Sequence, residues 1–320
     1  MIRKAMKKDD LDCLVIYSSA RHHAHLCENA NLRYVTNYGI NWGGDAYAIF
    51  PRDGDPSLLV WLDPSLARFA RRISWVKNIE LGYPIYAKKI ADKVKALGLD
   101  KKNIGIVGND DFCLTPPYPP IYLDLVKELP QAKFKPTFLL QKLRMIKSQE
   151  EIDFIEKSAE LADIAYETME KIAKPGVKEY ELHAAVEYAL LSHRGWHPSF
   201  ILLSSGQATS TEWVFPHWGG HNRTLKQGDL ILNELAPCYG GYFSESARPI
   251  SIGKPPKVIT QMFDVALEVY KIVTRMLKPG VDIEEIGKVT YEPIIKAGFT
   301  WEVGPAHGVG LSCAEAPVEG

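Results

Sequence analysis

Two glutamates, Glu234 and Glu245, stand eleven positions apart around a Tyr-Gly-Gly turn in NELAPCYGGYFSESARP, residues 233–249. The flanking stretches GDLILNEL (228–235) and YFSESARPISI (242–252) have the make-up of two hairpin strands. With Tyr239-Gly240 at the centre of a tight turn, Glu234 faces Glu245 directly, Cβ atoms about 5 Å apart. Like charges so placed repel and raise one carboxyl's pKa unless a cation lies between them. A divalent ion does this well, and carboxylate oxygens suit hard ions such as manganese or magnesium. The bland alternative is a solvent-facing strand whose glutamates are met by water or by Arg248. A bulge at Gly240-Gly241 would also slip the register by one and send the two side chains to opposite faces.

Two histidines extend the constellation. His217, in FPHWGGHNRTLKQGD, lies seventeen residues before Glu234. His307 sits in VGPAHGVGLSCAEAP, where Gly308 and Gly310 allow close backbone approach or positive φ. That Gly-Val-Gly lacks the third glycine of a nucleotide fingerprint. His22, His23 and His25 read as part of a polar surface segment, and His183 and His193 as structural residues of a helix.

These residues need elements to hold them. Before residue 142, strand-like and helix-like patterns alternate. LDCLVIYS (11–18) is a β-rich run, and AYAIFPRDGDPSLLVWL (46–62) is two strands joined at Asp53-Gly54. PIYAKKIADKVKALG (84–98) has helical spacing, and NIGIVG returns as a strand. Residues 1–142 are expected to form one α/β domain and 143–320 a second. The second opens on Ser148 with Glu151 three positions on, a capping box. Ile152, Ile155, Ala159, Ala162, Tyr166 and Met169 follow along one predicted helical face.

The second part contains an internal repeat: KPGVKEYELHAAVEYALLSHRGW (174–196) parallels KPGVDIEEIGKVTYEPIIKAGF (278–299). Aligning the closing Gly-aromatic pairs takes a single-residue gap. Two such halves imply a pseudo-two-fold pair with a cleft between them.

Bulk properties set outer limits. The 320 residues carry a formal charge of −1, with 46% apolar and 24% charged residues, an ordinary folded chain with no general pull toward nucleic acid or acidic membranes. Five scattered cysteines without Cys-x-x-Cys spacing suggest free thiols in a reducing compartment, and no apolar run suits a signal peptide or a membrane span. The expected location is cytoplasmic.

NLRYVTNY, LRMIKSQEEIDFI, the PH…R.L..GDLIL.E series, GGYFSESARP and HGVGL…E.P, in this order, resemble the pita-bread metallopeptidase family of aminopeptidase P, prolidase, methionine aminopeptidase and the metal-free creatinase. The resemblance runs from about residue 10 to the end. It implies a creatinase-type N-terminal α/β domain followed by a pita-bread domain with an internal pseudo-two-fold repeat, an α/β (α+β) fold. It implies two divalent metals, manganese first with cobalt or zinc possible, held in this chain by Glu234, Glu245 and His307. His217 falls on the cleft histidine, with Arg248 in support, and the substrate is a small peptide or amide. It also implies a homodimer, in which NYGINWGGD (37–45) could border the partner's cleft.

Departures from the family pattern accompany the resemblance. Both family aspartates are glutamates here, and the family's second catalytic histidine corresponds to Ala314. The two late glutamate ligands have no counterpart, since thirteen residues follow His307. The sequence is therefore expected to be cut short of the family's C-terminal end, or to lack half the usual ligands. Three readings follow: a metal-dependent hydrolase removing the residue before proline, a metal-free creatinase-like enzyme using His217, and a non-catalytic binding homologue.

Overall fold

Strand-forming runs alternate with amphipathic stretches through the first unit, and the chain folds accordingly. The computed structural model describes residues 1–19, 30–39, 44–108, 119–198, 200–210, 217–218, 222–300 and 306–318. His22, His23 and His25, and residues 40–43 of NYGINWGGD, lie outside these. Two compact units divide at Lys147/Ser148.

The first unit runs α1 (Ile2–Lys8), β1 (Cys13–Ser19), α2 (Ala30–Thr36), β2 (Asp45–Pro51), β3 (Ser57–Val60), α3 (Pro64–Ile73), β4 (Asn78–Leu81), α4 (Tyr86–Ala96), β5 (Asn103–Val107), α5 (Pro119–Glu128), β6 (Lys133–Pro136) and α6 (Leu139–Arg144). Its strands form one mixed sheet in the order β4-β3-β2-β1-β5-β6. Successive residues of β1 enter opposite cores: Leu14 and Ile16 pack with Leu32 and Leu58, while Cys13, Val15 and Tyr17 pack with Ile90 and Ile104. A strand covered on both faces needs apolar residues throughout, which explains the unbroken run in its sequence.

The second unit runs α7 (Gln149–Ile172), α8 (Glu179–Ser192), β7 (Ile201–Gln207), β8 (His217–Trp218), β9 (Asp229–Leu235), β10 (Cys238–Tyr239), β11 (Tyr242–Phe243), β12 (Ile250–Ser251), α9 (Lys257–Met276), α10 (Ile283–Lys296), β13 (His307–Gly308) and β14 (Glu315–Val318). The expected capping box starts α7: the Ser148 amide donates to Glu151 Oε2 at 2.8 Å, and the Glu151 amide to Ser148 Oγ at 3.3 Å. The buried stripe of α7 departs from the apolar pattern. Ser158, Leu161, Ala162, Ala165, Tyr166 and Met169 are buried, whereas Ile152 is 38% exposed. A polar residue, Ser158, opens the stripe because its hydroxyl finds partners there.

The repeat is stricter than its sequence. Helix α8 and helix α10 are each 14 residues long and begin 104 positions apart. The same offset relates Gly176 to Gly280, at φ 99° and 91°, and Arg194 to Gly298, at φ 67° and 82°. Both second helices end on the same backbone bond, Gly195 N to Leu190 O and Phe299 N to Ile294 O, each 3.0–3.1 Å. No gap exists. Aligning the Gly-aromatic pairs had shifted the end by one, because the left-handed position is filled by Arg194 in one copy and by glycine in the other.

Helices α7 and α8 cover a four-stranded sheet in the order β12-β9-β7-β8. Buried Asp229 opens β9 and binds Arg223 at 2.6 Å and Gln207 at 2.6 Å. Burial alone would raise the Asp229 carboxyl, but the Arg223 guanidinium and the Lys226 amide outweigh it and hold the pKa low.

Beyond β9 the chain doubles back around Gly240-Gly241, not Tyr239-Gly240. Tyr239 pairs with Tyr242, Cys238 with Phe243, Leu235 with Ser246 and Ile231 with Ile250, one register throughout. The two central residues have φ 55° and 86°, the mirror-image turn that matches strand twist and that glycine adopts without strain. A tyrosine at a central position would have borne that strain. Phe154 of α7 packs on both flanking rings, its centroid 5.8 Å from Tyr239 and 5.6 Å from Tyr242.

A Cβ on Gly240 would land on the Phe154 ring. Gly240→Ala is expected to destabilise the protein by about 2 kcal/mol, from left-handed strain plus overpacking. In a Phe154→Ala background the cost should shrink to the strain alone, about 1 kcal/mol. Urea unfolding of the four proteins measures the cycle, and equal costs in both backgrounds would exclude the steric part.

Candidate active site

The register decides which side chains can meet. Leu235 and Ser246 form a hydrogen-bonded pair, N–H to O at 2.9 and 3.0 Å in the two directions. Glu234 therefore stands opposite Ala247, and Glu245 opposite Ala236. The direct pairing expected from the sequence does not occur. The shift is two residues, however, and an even shift keeps both glutamates on one face. They become diagonal neighbours, somewhat less than about 7–8 Å apart at Cβ, which long side chains span.

The two carboxyl groups share a hydrogen bond. Glu234 is pushed up to about 7, first by burial and then by its bond to and repulsion from Glu245, with a small opposing pull from His307. The Glu234 carboxyl is thus harder to ionise than a free one and loses its proton only near neutrality. His307 Nε2 lies 3.2 Å from Glu245 Oε1, and its Nδ1 lies 2.9 Å from the Gly308 carbonyl oxygen. Both ring nitrogens donate, and the bond to Glu245 raises the imidazole to about 9 against the opposing effect of burial. His307 arrives on β13, and its segment is tied to the ribbon by the Phe243 amide, which donates to Gly310 O at 2.7 Å.

The other expected residues fall differently. The backbone of His217 lies in β8 opposite Leu203, which pairs on its far side with Asn233; the imidazole is outside the described side chains. Arg248 does not meet the glutamates. Its guanidinium binds Asp163 at 3.1 Å and stacks 4.8 Å from the centre of the Tyr166 ring, on the helix-facing side of the ribbon. Its backbone is held by Asn233, whose Nδ2 donates to Arg248 O at 2.6 Å. Ala314 contributes only its carbonyl, which accepts from Ser312 Oγ at 2.8 Å.

Residues 153–319 match the metallopeptidase family M24, and residues 1–146 match the creatinase/prolidase N-terminal domain. The chain belongs to family M24. Among relatives of this family, the Xaa-Pro dipeptidase of Pyrococcus furiosus is 31% identical over 184 residues, 56% of this chain and 51% of that one. The uncharacterized peptidase YqhT of Bacillus subtilis is 25% identical over 296 residues, 91% of this chain and 79% of its own length. The crystal structure of the prolidase from Pyrococcus horikoshii OT3 superposes with a TM-score of 0.78 at 27% identity, covering 99% of this chain and 83% of that one. The chain thus spans about half the length of the Pyrococcus furiosus dipeptidase it matches in sequence. The mixed α/β architecture, with a creatinase-type first domain and a pita-bread second domain, is that of the M24 prolidases.

M24 membership implies a divalent metal, and the donor set tests it. Two carboxylates and an imidazole are oxygen and nitrogen donors of the kind manganese, cobalt or zinc takes. Their repulsion, expressed in the raised Glu234, is what a cation would relieve. As they stand the three are closed on one another by protons, and among the described residues no three His, Cys, Asp or Glu side chains are disposed as a cage. The donor types fit a single ion, provided Glu234 and His307 give up their protons first.

Both raised groups make the fold bind more protons than the unfolded chain, so both stabilise it at low pH. Stability from Glu234 is full below 4.5 and lost as pH rises through about 7, and that from His307 is full below 6.5 and lost through about 9. In chelator, the melting temperature should fall between about pH 5 and about pH 9 more steeply in the natural protein than in Glu234→Gln, which removes the first step. Parallel pH profiles for the two proteins would show that Glu234 does not hold the proton.

Proposed function

We propose that this M24 chain is a metal-dependent peptidase of the Xaa-Pro type, removing an N-terminal residue that precedes proline from a small peptide. The observation that carries the reading is the meeting of Glu234, Glu245 and His307 on one face of a fixed-register ribbon, inside a chain that resembles named dipeptidases. Glu234, Glu245 and His307 would hold the ion, with manganese the first candidate and cobalt or zinc next. A divalent ion bound there supplies Lewis-acid activation of water and of the scissile carbonyl.

The chain's own residues supply the rest. Glu234, raised to about 7 while no ion is present, would have to release its proton before its carboxylate could serve as a ligand. Glu245 holds the His307 imidazole at 3.2 Å. On the family resemblance, His217 is the candidate donor to the carbonyl oxygen as charge develops there, although its backbone on β8 is separated from β9 by β7 and lies in register with Asn233 rather than Glu234. The proposal extends, on the same resemblance, to a cytoplasmic homodimer without nucleic-acid or membrane partners.

One observation favours a second reading. Without any ion, Glu245 is already paired with His307 at 3.2 Å and Glu234 is raised to about 7, which favours a metal-free creatinase-like hydrolase or lyase with His217 as its acid–base group. The same assay decides between them. Purified protein is assayed on Xaa-Pro dipeptides after chelator, then after manganese. The metal reading expects chelator to abolish turnover, manganese to restore it, and Glu245→Gln or His307→Ala to lower kcat/KM by at least about a hundredfold. Turnover that survives chelator and vanishes in His217→Ala selects the second reading. No turnover on either treatment, with the fold intact, would leave a non-catalytic homologue.

A further inference from the structure

Among the described residues Glu245 makes no hydrogen bond or ion pair to helix α7, yet the backbone on both of its sides is bonded to it. The Ser244 amide donates to Ser158 Oγ at 2.9 Å, and the Ser246 carbonyl oxygen accepts from the Tyr166 hydroxyl at 2.8 Å. Ser158 reaches further. Its hydroxyl donates to the Pro237 carbonyl oxygen at 2.8 Å, on the strand that continues from Glu234. One buried serine therefore bridges both strands of the ribbon, and its exposure is 0%.

The helix geometry suits this grip. Ser158 and Tyr166 are eight residues apart, about 12 Å along the axis, whereas Ser244 and Ser246 are about 7 Å apart along a strand. A helical side chain leans toward the N-terminus, so the long tyrosine closes most of that difference. Residues 244, 246 and 248 all turn toward α7, where Arg248 meets Asp163 and Tyr166. Strand alternation then sends residue 245 the other way.

We propose that Ser158 and Tyr166 are positioning residues of the site, clamping the backbone on either side of Glu245 so that its carboxylate is aimed at Glu234 and His307. Neither side chain hydrogen-bonds any of the three donors, and beyond a weak electrostatic effect between Tyr166 and Glu234 their action is through the strand. The inference deepens the metal-site reading above and rests on it for its functional consequence. Its structural consequence stands apart from any metal.

The test compares Ser158→Ala and Tyr166→Phe with a core control, Met169→Ala, which lies in the same helix and the same apolar cluster. Tyr166→Phe keeps the ring under Arg248 and removes only the hydroxyl. Cobalt(II) affinity is read by titration of the ligand-field absorption, and fold stability by melting temperature. Both positioning variants are expected to weaken cobalt by about tenfold to a hundredfold, the range of groups that orient a ligand. Met169→Ala is expected to lower the melting temperature with cobalt affinity unchanged. If Ser158→Ala and Tyr166→Phe bind cobalt as the natural protein does, the proposal is overturned. If the natural protein itself takes up no cobalt, the metal reading fails, and crystal structures of the metal-free variants decide the positioning claim. Loss of the 3.2 Å contact between Glu245 and His307 in Tyr166→Phe and Ser158→Ala upholds it, and retention overturns it.

Discussion

Two carboxyl groups held within hydrogen-bonding reach repel each other, and the second unit is organised around making that tolerable. The remedy has three parts. The Glu234 carboxyl ionises only near neutrality, an imidazolium stands against Glu245, and the ribbon's backbone is fastened to helix α7 by Ser158 and Tyr166. On the positioning proposal, a ribbon without that fastening would relax by parting its charges. Rigidity of the strand is thus the condition for the electrostatics, and the electrostatics are the condition for any chemistry there.

Much of this was legible beforehand, for identifiable reasons. Strand β1 is apolar at every position because both its faces are covered, and that pattern survives without a structure. Ser148 and Glu151 announce a helix start through local bonds that need no tertiary partner. The Lys-Pro-Gly-Val repeats mark two equal helix pairs because the glycine must take positive φ in each. Same-face placement of Glu234 and Glu245 also followed from sequence, although the turn was centred one residue early. A displaced turn centre changes a hairpin register by two, and strand parity is blind to a shift of two.

What was not legible depends on partners far along the chain. Ser158 breaks an apolar stripe, and its value emerges only where Pro237 O and Ser244 N arrive from about eighty residues away. Arg248 looked like a counter-ion for the acids because it is near them in sequence. Alternation along the strand turns it to the opposite side, toward Asp163 and the Tyr166 ring. His307 was singled out by its glycine-rich surroundings, but its cationic state comes from Glu245 and the Gly308 carbonyl together, and neither bond has a signature in the sequence.

The seating of Gly240 against Phe154 has an evolutionary corollary. Hairpin tips are commonly where relatives gain or lose residues, and so where ligand preference diverges. Here the tip is wedged against a helix, and any inserted residue would have to displace an aromatic ring as well as rewind the strand pairing that aligns the acids. An insertion at this tip is therefore expected to cost the fold more than one in a free hairpin loop.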